Sequence, residues 1–131
     1  MRTLLYGALL CGPLLAAAAE PAVPKERTLA VNVEAAGGLF AFATACDVSK
    51  ESLGTLVKMD ARAAGEYAET HGIAFTQDDF KRHFARGMDA NRQFIGAATP
   101  ASRARNCPEI AEKVSAIIAG GAGGAGGHAY K

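Results

Sequence analysis

Two cysteines 61 residue steps apart, Cys46 and Cys107, constrain this chain more than any other feature. In an oxidising compartment such a pair allows one intramolecular bridge, so the connectivity follows once the compartment is known. Closing that loop stabilises a fold by about 4 kcal/mol in the chain-entropy model, a large share of what a small domain possesses. A catalytic thiol or a metal pair is the rival reading. There is no Cys-x-x-Cys, however, and neither cysteine has a histidine within ten residues. A structural bridge is the expectation.

The compartment is read from the N-terminus. Met1, Arg2 and Thr3 precede an apolar run from Leu4 to Ala19, interrupted by Gly7, Gly12 and Pro13 and closing on Ala17, Ala18 and Ala19 before Glu20. A charged start, a short apolar stretch and a small-residue cleavage site make residues 1–19 a secretory signal peptide, cut after Ala19. A membrane span needs about 20 continuous apolar residues. This run is shorter and holds a Gly-Pro break, so no integral span is expected after cleavage. Cys11 follows Leu10 rather than a small residue, which argues against lipoprotein processing, and it leaves with the signal. The mature chain is expected to be periplasmic or secreted.

The full chain has 14 basic and 13 acidic side chains, and loss of Arg2 leaves 13 of each. A formally neutral product does not suit nucleic acid, whose binders are normally basic. Residues 20–28, with Pro21 and Pro24, read as a flexible arm. Residues 120–131, where Gly120, Gly121, Gly123, Gly124, Gly126 and Gly127 alternate with alanine, read as a disordered tail. The folding unit is 29–119, one domain with a thin core.

Within it the pattern is helical. Thr76 can cap a helix with Asp79 reaching back, and Phe75 and Phe80 stand where a hydrophobic staple belongs. The helix that follows carries Phe80, Phe84, Met88, Asn91 and Ile95 to about Ala97, with Gly87 as its weak point. An earlier helix over 50–71 aligns Leu53, Leu56, Val57, Ala61, Ala64, Tyr67 and Ala68, and Gly72 ends it. The last begins at Asn106, with Pro108 in its first turn, and aligns Ile110, Val114, Ile117 and Ile118 before Gly120 stops it. The first runs from Glu34 or Ala36 to Ala45, with Gly37 and Gly38 at its start. Leu29, Val31 and Val33 before it are extended or helical. The fold class is all-α: a small four-helix, bundle-like domain with one disulfide, joining the end of the first helix to the start of the last.

Candidates for chemistry are few. His83 lies four residues after Asp79 and three before Arg86, so the carboxylate could orient the imidazole on one helix face. Catalysis would need a nucleophile as well, and Ser49, Ser52 and Ser102 are the residues that would have to face it. His71 suits the negative end of its helix, and His128 lies in the tail. The three histidines lack the spacing of a metal site, no glycine loop precedes a helix in the manner that cradles phosphate, and no haem attachment sequence is present. No cofactor or metal is expected. From Lys81 to Arg105 six bases, Lys81, Arg82, Arg86, Arg92, Arg103 and Arg105, face one acid, Asp89. This stretch is the candidate interaction surface for an acidic partner, against the plainer reading of a solvated face. The expected function is non-enzymatic: binding to another protein in the envelope, as an accessory, immunity or chaperone-like factor. The alternatives are a small envelope hydrolase using His83 and Asp79, and a stress-responsive periplasmic holdase.

Overall fold

Gly37, Gly38 and Gly87 set the geometry of the domain, because they let two helices meet backbone to backbone. The computed structural model describes residues 21–122; the expected signal peptide and the tail beyond Ala122 lie outside the described residues. Four helices follow one another, α1 (Lys25–Ala45), α2 (Lys50–Thr70), α3 (Gln77–Gly96) and α4 (Pro100–Ala122), joined by short turns. The all-α, bundle-like class expected from periodicity is what forms.

The closest crossing is that of α1 with α3. A methyl group at Gly37 would collide with the carbonyl of Phe84, and one at Gly87 with the carbonyl of Glu34. At Gly38 it would stand 2.6 Å from the Asn91 side-chain nitrogen. Gly87 is therefore the contact point of its helix rather than a weak point, and Gly37 and Gly38 lie in mid-helix rather than at a start. The pairings of Glu34 with His83 and of Gly38 with Asn91 show that the two helices run in the same direction. α2 and α4 run back alongside α1, and the backbones of α3 and α4 stay apart.

The caps explain the boundaries. Ser49 accepts a hydrogen bond from the Ser52 amide at 3.1 Å and opens α2. Thr76 and Asp79 form the expected capping box on α3, with Phe80 buried and Phe75 packed against the same core. α2 ends as expected, with Gly72 at φ +62° while the Ile73 amide bonds back to Ala68. α1 closes with the same hydrogen-bond pattern around Asp47, at φ 58°.

Three boundaries differ from expectation. α1 begins at Lys25, nine residues before Glu34, so residues 25–28 of the supposed arm are helical and Leu29 and Val33 are among the most buried residues. Their alternation with Val31 is the 3.6-residue period cut short: Leu29 and Val33 point inward while Val31 is 54% exposed. α4 begins at Pro100, not Asn106. Thr99 caps it, accepting from the Ser102 amide at 3.2 Å, and Pro100 occupies the first position, where a missing donor costs nothing. Pro108 thus sits inside the helix. It is exposed, as is Ala104 whose carbonyl loses its partner, so water can serve that oxygen. Finally, α4 continues through Gly120 to Ala122 because Gly121 lies against Met59 of α2.

The core divides in two. Leu29, Val33 and Ala36 of α1, Ala64, Tyr67 and Ala68 of α2 and Phe80 and Phe84 of α3 form one cluster. Ala43, Leu53, Leu56 and Val114 form the other, under α4. Phe40 adjoins both. The bridge Cys46–Cys107, S–S 2.05 Å, pins α4 to the end of α1.

Candidate functional site

Because α3 and α4 leave their connecting turn without meeting, the face of α1 between them is left open. Ala35, Gly38, Leu39 and Phe42 form the floor of a groove of about 530 Å³. Asn91 edges it on α3, and Asn106, Glu109, Ile110 and Lys113 form the wall on α4. Val31, Ala35, Gly38 and Phe42 follow one another at steps of four, three and four, the spacing of a seam that receives a second helix. Of the two small middle residues Ala35 is exposed, whereas Gly38 is buried against the Asn91 side chain. One turn along α3 from Asn91, Phe94 is 69% exposed. Beneath the α3–α4 turn a smaller pocket of about 40 Å³ is lined by both bridged cysteines and by Phe42 and Ile110, which also line the groove.

From Ala35 to Ala43 α1 is apolar around its whole circumference, unlike the amphipathic α2 and α3. By length and composition it could cross a membrane, and in this fold only 33% of its most apolar window is buried. A helix apolar on every side is normally covered on every side. Here three neighbours cover it, and the groove is what they leave.

His83 is not paired with Asp79. Its Nδ1 lies 3.0 Å from Glu34 Oε1 on α1, and its ring stacks on Phe75 with centroids 6.3 Å apart. Asp79 is occupied by its own helix: its Oδ2 accepts from the Thr76 amide at 2.8 Å, and its Oδ1 accepts from Arg82. The Thr76 hydrogen bonds, with Arg82 adding to them, hold its carboxyl below the usual carboxylate range. The serines lie elsewhere. Ser49 and Ser52 bond to each other, and the Ser102 hydroxyl donates to the Thr99 carbonyl. The hydrolase geometry of His83, Asp79 and a serine is not assembled.

The basic stretch is largely neutralised. Lys81 lies 3.9 Å from Asp78, Arg82 pairs with Asp79, and Arg92 pairs with Asp89 at 2.7 Å. Arg103 donates to the carbonyl of Ala45 and lies 4.0 Å from Asp47, a second tie between α4 and the end of α1. Arg86 and Arg105 are exposed with no ion pair among the described residues. Two of the acids, Asp78 and Asp79, precede Lys81 and so fall outside the window in which the excess was counted.

Among the described residues no three His, Cys, Asp or Glu side chains converge to hold a metal. No protein-family model, curated protein or solved structure matches the chain. The residue that sequence reasoning passed over is Asp60. It lies partly buried on the inward stripe of α2, between Leu56 and Ala64, and this partial burial raises its carboxyl to about 6. The signal was present as one acid inside an otherwise apolar stripe.

Proposed function

We propose that the mature chain works outside the cytoplasm, in the periplasm, as a small binding module that receives an amphipathic helix of a partner protein in the groove between α3 and α4. The role is that of an accessory, immunity or chaperone-like factor. One observation carries the reading: between α3 and α4 the apolar second half of α1 leaves Ala35 exposed and Leu39 and Phe42 partly exposed on the floor of the groove. Helix-in-groove recognition uses such a face, read by the partner at helical spacing. Export is supported by the Cys46–Cys107 bridge and the apolar N-terminal sequence. The groove supports partner binding better than the basic stretch does, since most of the bases there already hold acids of their own.

The test is capture from the cognate envelope with purified oxidised protein. Ala35→Arg places a long charged side chain on the groove floor at an exposed position, and it is expected to abolish capture while leaving helicity and melting unchanged. Reversing Arg82, Arg86 and Arg92 to glutamate is expected to leave capture largely intact. If the triple reversal abolishes binding and Ala35→Arg does not, the partner docks on the basic face and the groove is not the site.

A further inference from the structure

The start of α4 buries almost nothing. From Pro100 to Glu109 every residue is exposed except Ser102 and Cys107, which are half-buried. Apolar packing begins only at Ile110, followed by Val114, Ile117 and Ile118 in the cluster under the helix. What holds the earlier turns against α1 is a pair of ties at one place: the bridge from Cys107 to Cys46, and Arg103, which donates to the carbonyl of Ala45 and lies 4.0 Å from Asp47. Arg103 and Asp47 are both exposed, and exposed pairs hold little.

The sequence also offers α4 two places to begin. Thr99 followed by Pro100 is the start that the oxidised protein uses, with the Arg103 amide bonded to the Thr99 carbonyl at 3.0 Å. Asn106 followed by Cys107, Pro108 and Glu109 is a second: an asparagine that can cap, an acid at the third helical position, and a proline in the first turn, where its missing donor is not needed. With the helix begun at Thr99, Pro108 instead lies inside it and leaves the Ala104 carbonyl without a helical partner. The piece ahead of that proline is also too short to persist alone, since isolated helices under about 12 residues are marginal in water. The later start is thus the one that local sequence favours, and the earlier one is kept by the ties to α1.

We propose that the Cys46–Cys107 bridge is a redox latch that selects between the two starts. The reductant is a dithiol. One of its thiolates attacks a bridge sulfur and the other resolves the mixed disulfide; two electrons and two protons pass to Cys46 and Cys107, which become thiols, and the dithiol leaves as its own disulfide. Freed from α1, residues 100–105 unwind and α4 restarts at Asn106, while buried Val114 keeps the C-terminal half in place. Phe42 and Ile95 then lose the cover that Ser102 and Arg103 give to the pocket beneath the α3–α4 turn. Asn106 and Glu109 stand in the wall of the groove, so the latch also sets the groove's shape. That consequence rests on the groove being a binding site; the change of start does not.

Amide hydrogen exchange on the full chain, before and after reduction with dithiothreitol, reads the start directly. The amides of 103–107 have helical partners only when α4 begins at Thr99. Reduction is expected to lower their protection about a hundredfold, the scale on which a bridge acts, with 112–118 and α3 protected as before. Cys46→Ser combined with Cys107→Ser should behave in the same way without any reductant. Pro108→Ala removes the break inside the helix and should return about tenfold or more of the lost protection in the reduced protein. Equal loss in all four helices would overturn the latch and leave the bridge as a structural staple. So would 103–107 amides that reduction does not change, or a reduced Pro108→Ala chain that opens as fully as the wild type. Exchange needs no partner, so failure of the latch and failure of the groove, tested by Ala35→Arg, are separate results.

Discussion

A glycine can be a helix breaker or the only residue that fits, and this chain separates the two cases cleanly. Gly54 has nothing within 4 Å of the position a Cβ would take, whereas Gly87 faces the Glu34 carbonyl. Gly54→Ala should therefore raise stability by about 0.5–1 kcal/mol, as for alanine in an open helical position. Gly87→Ala should lower it by about 1–3 kcal/mol or more, because backbone rather than a flexible side chain must move. Chemical denaturation of both variants checks the pair, and equal effects would mean that α1 and α3 do not meet where described. Phe80, 6% exposed and stacked on Phe84 with centroids 5.4 Å apart, should cost about 3–5 kcal/mol when cut to alanine. Tyr67 and Phe94 look alike as stray aromatics in the sequence, yet Tyr67 is buried and Phe94 lies open. Helical period places Tyr67 on the stripe of Ala64 and Ala68. For Phe94 the period alone cannot tell, since α3 leaves its C-terminal half without α4 beside it.

Helices with a cap written in their own residues were legible from the sequence, and helices whose ends depend on neighbours were not. Thr76 with Asp79, and Gly72 after α2, carry their hydrogen bonds within a few residues, so α2 and α3 were read almost to the residue. Gly37 and Gly38 mimic a helix start because the contacts that require them lie on α3, about fifty positions away. Pro108 mimics a helix start because its tolerance in mid-helix depends on exposure. The groove was illegible for the same reason: its floor residues looked like ordinary core, and only the divergence of α3 and α4 exposes them. The capping box makes a prediction at this scale. Thr76→Ala should cost about 1 kcal/mol. Because the fold lowers the Asp79 carboxyl, the contribution of that carboxylate is complete above the ordinary carboxylate range and is lost as pH falls through the lowered value. Acid therefore weakens the start of α3. Circular dichroism melts of wild type and Asp79→Asn from pH 7 down to pH 2 should converge as the carboxylate is protonated.

For the molecule as a whole, the exported protein should show an N-terminus at Glu20 and a mass two hydrogens below the reduced form, and two titratable thiols would remove the bridge. Reduction should lower stability by about 2–5 kcal/mol, and the loss should fall on α4 first, since its backbone stays apart from that of α3. The bridge also decides how the molecule carries tension. With Cys46 joined to Cys107, a pull applied at the two ends passes along α1, across the sulfurs and into α4, while α2 and α3 hang in a closed ring outside the line of force. The 61 residue steps of that ring cannot be drawn out. In single-molecule extension the oxidised chain should stop roughly 200 Å short of the reduced one, and its α1–α3 crossing should survive the rupture of α4.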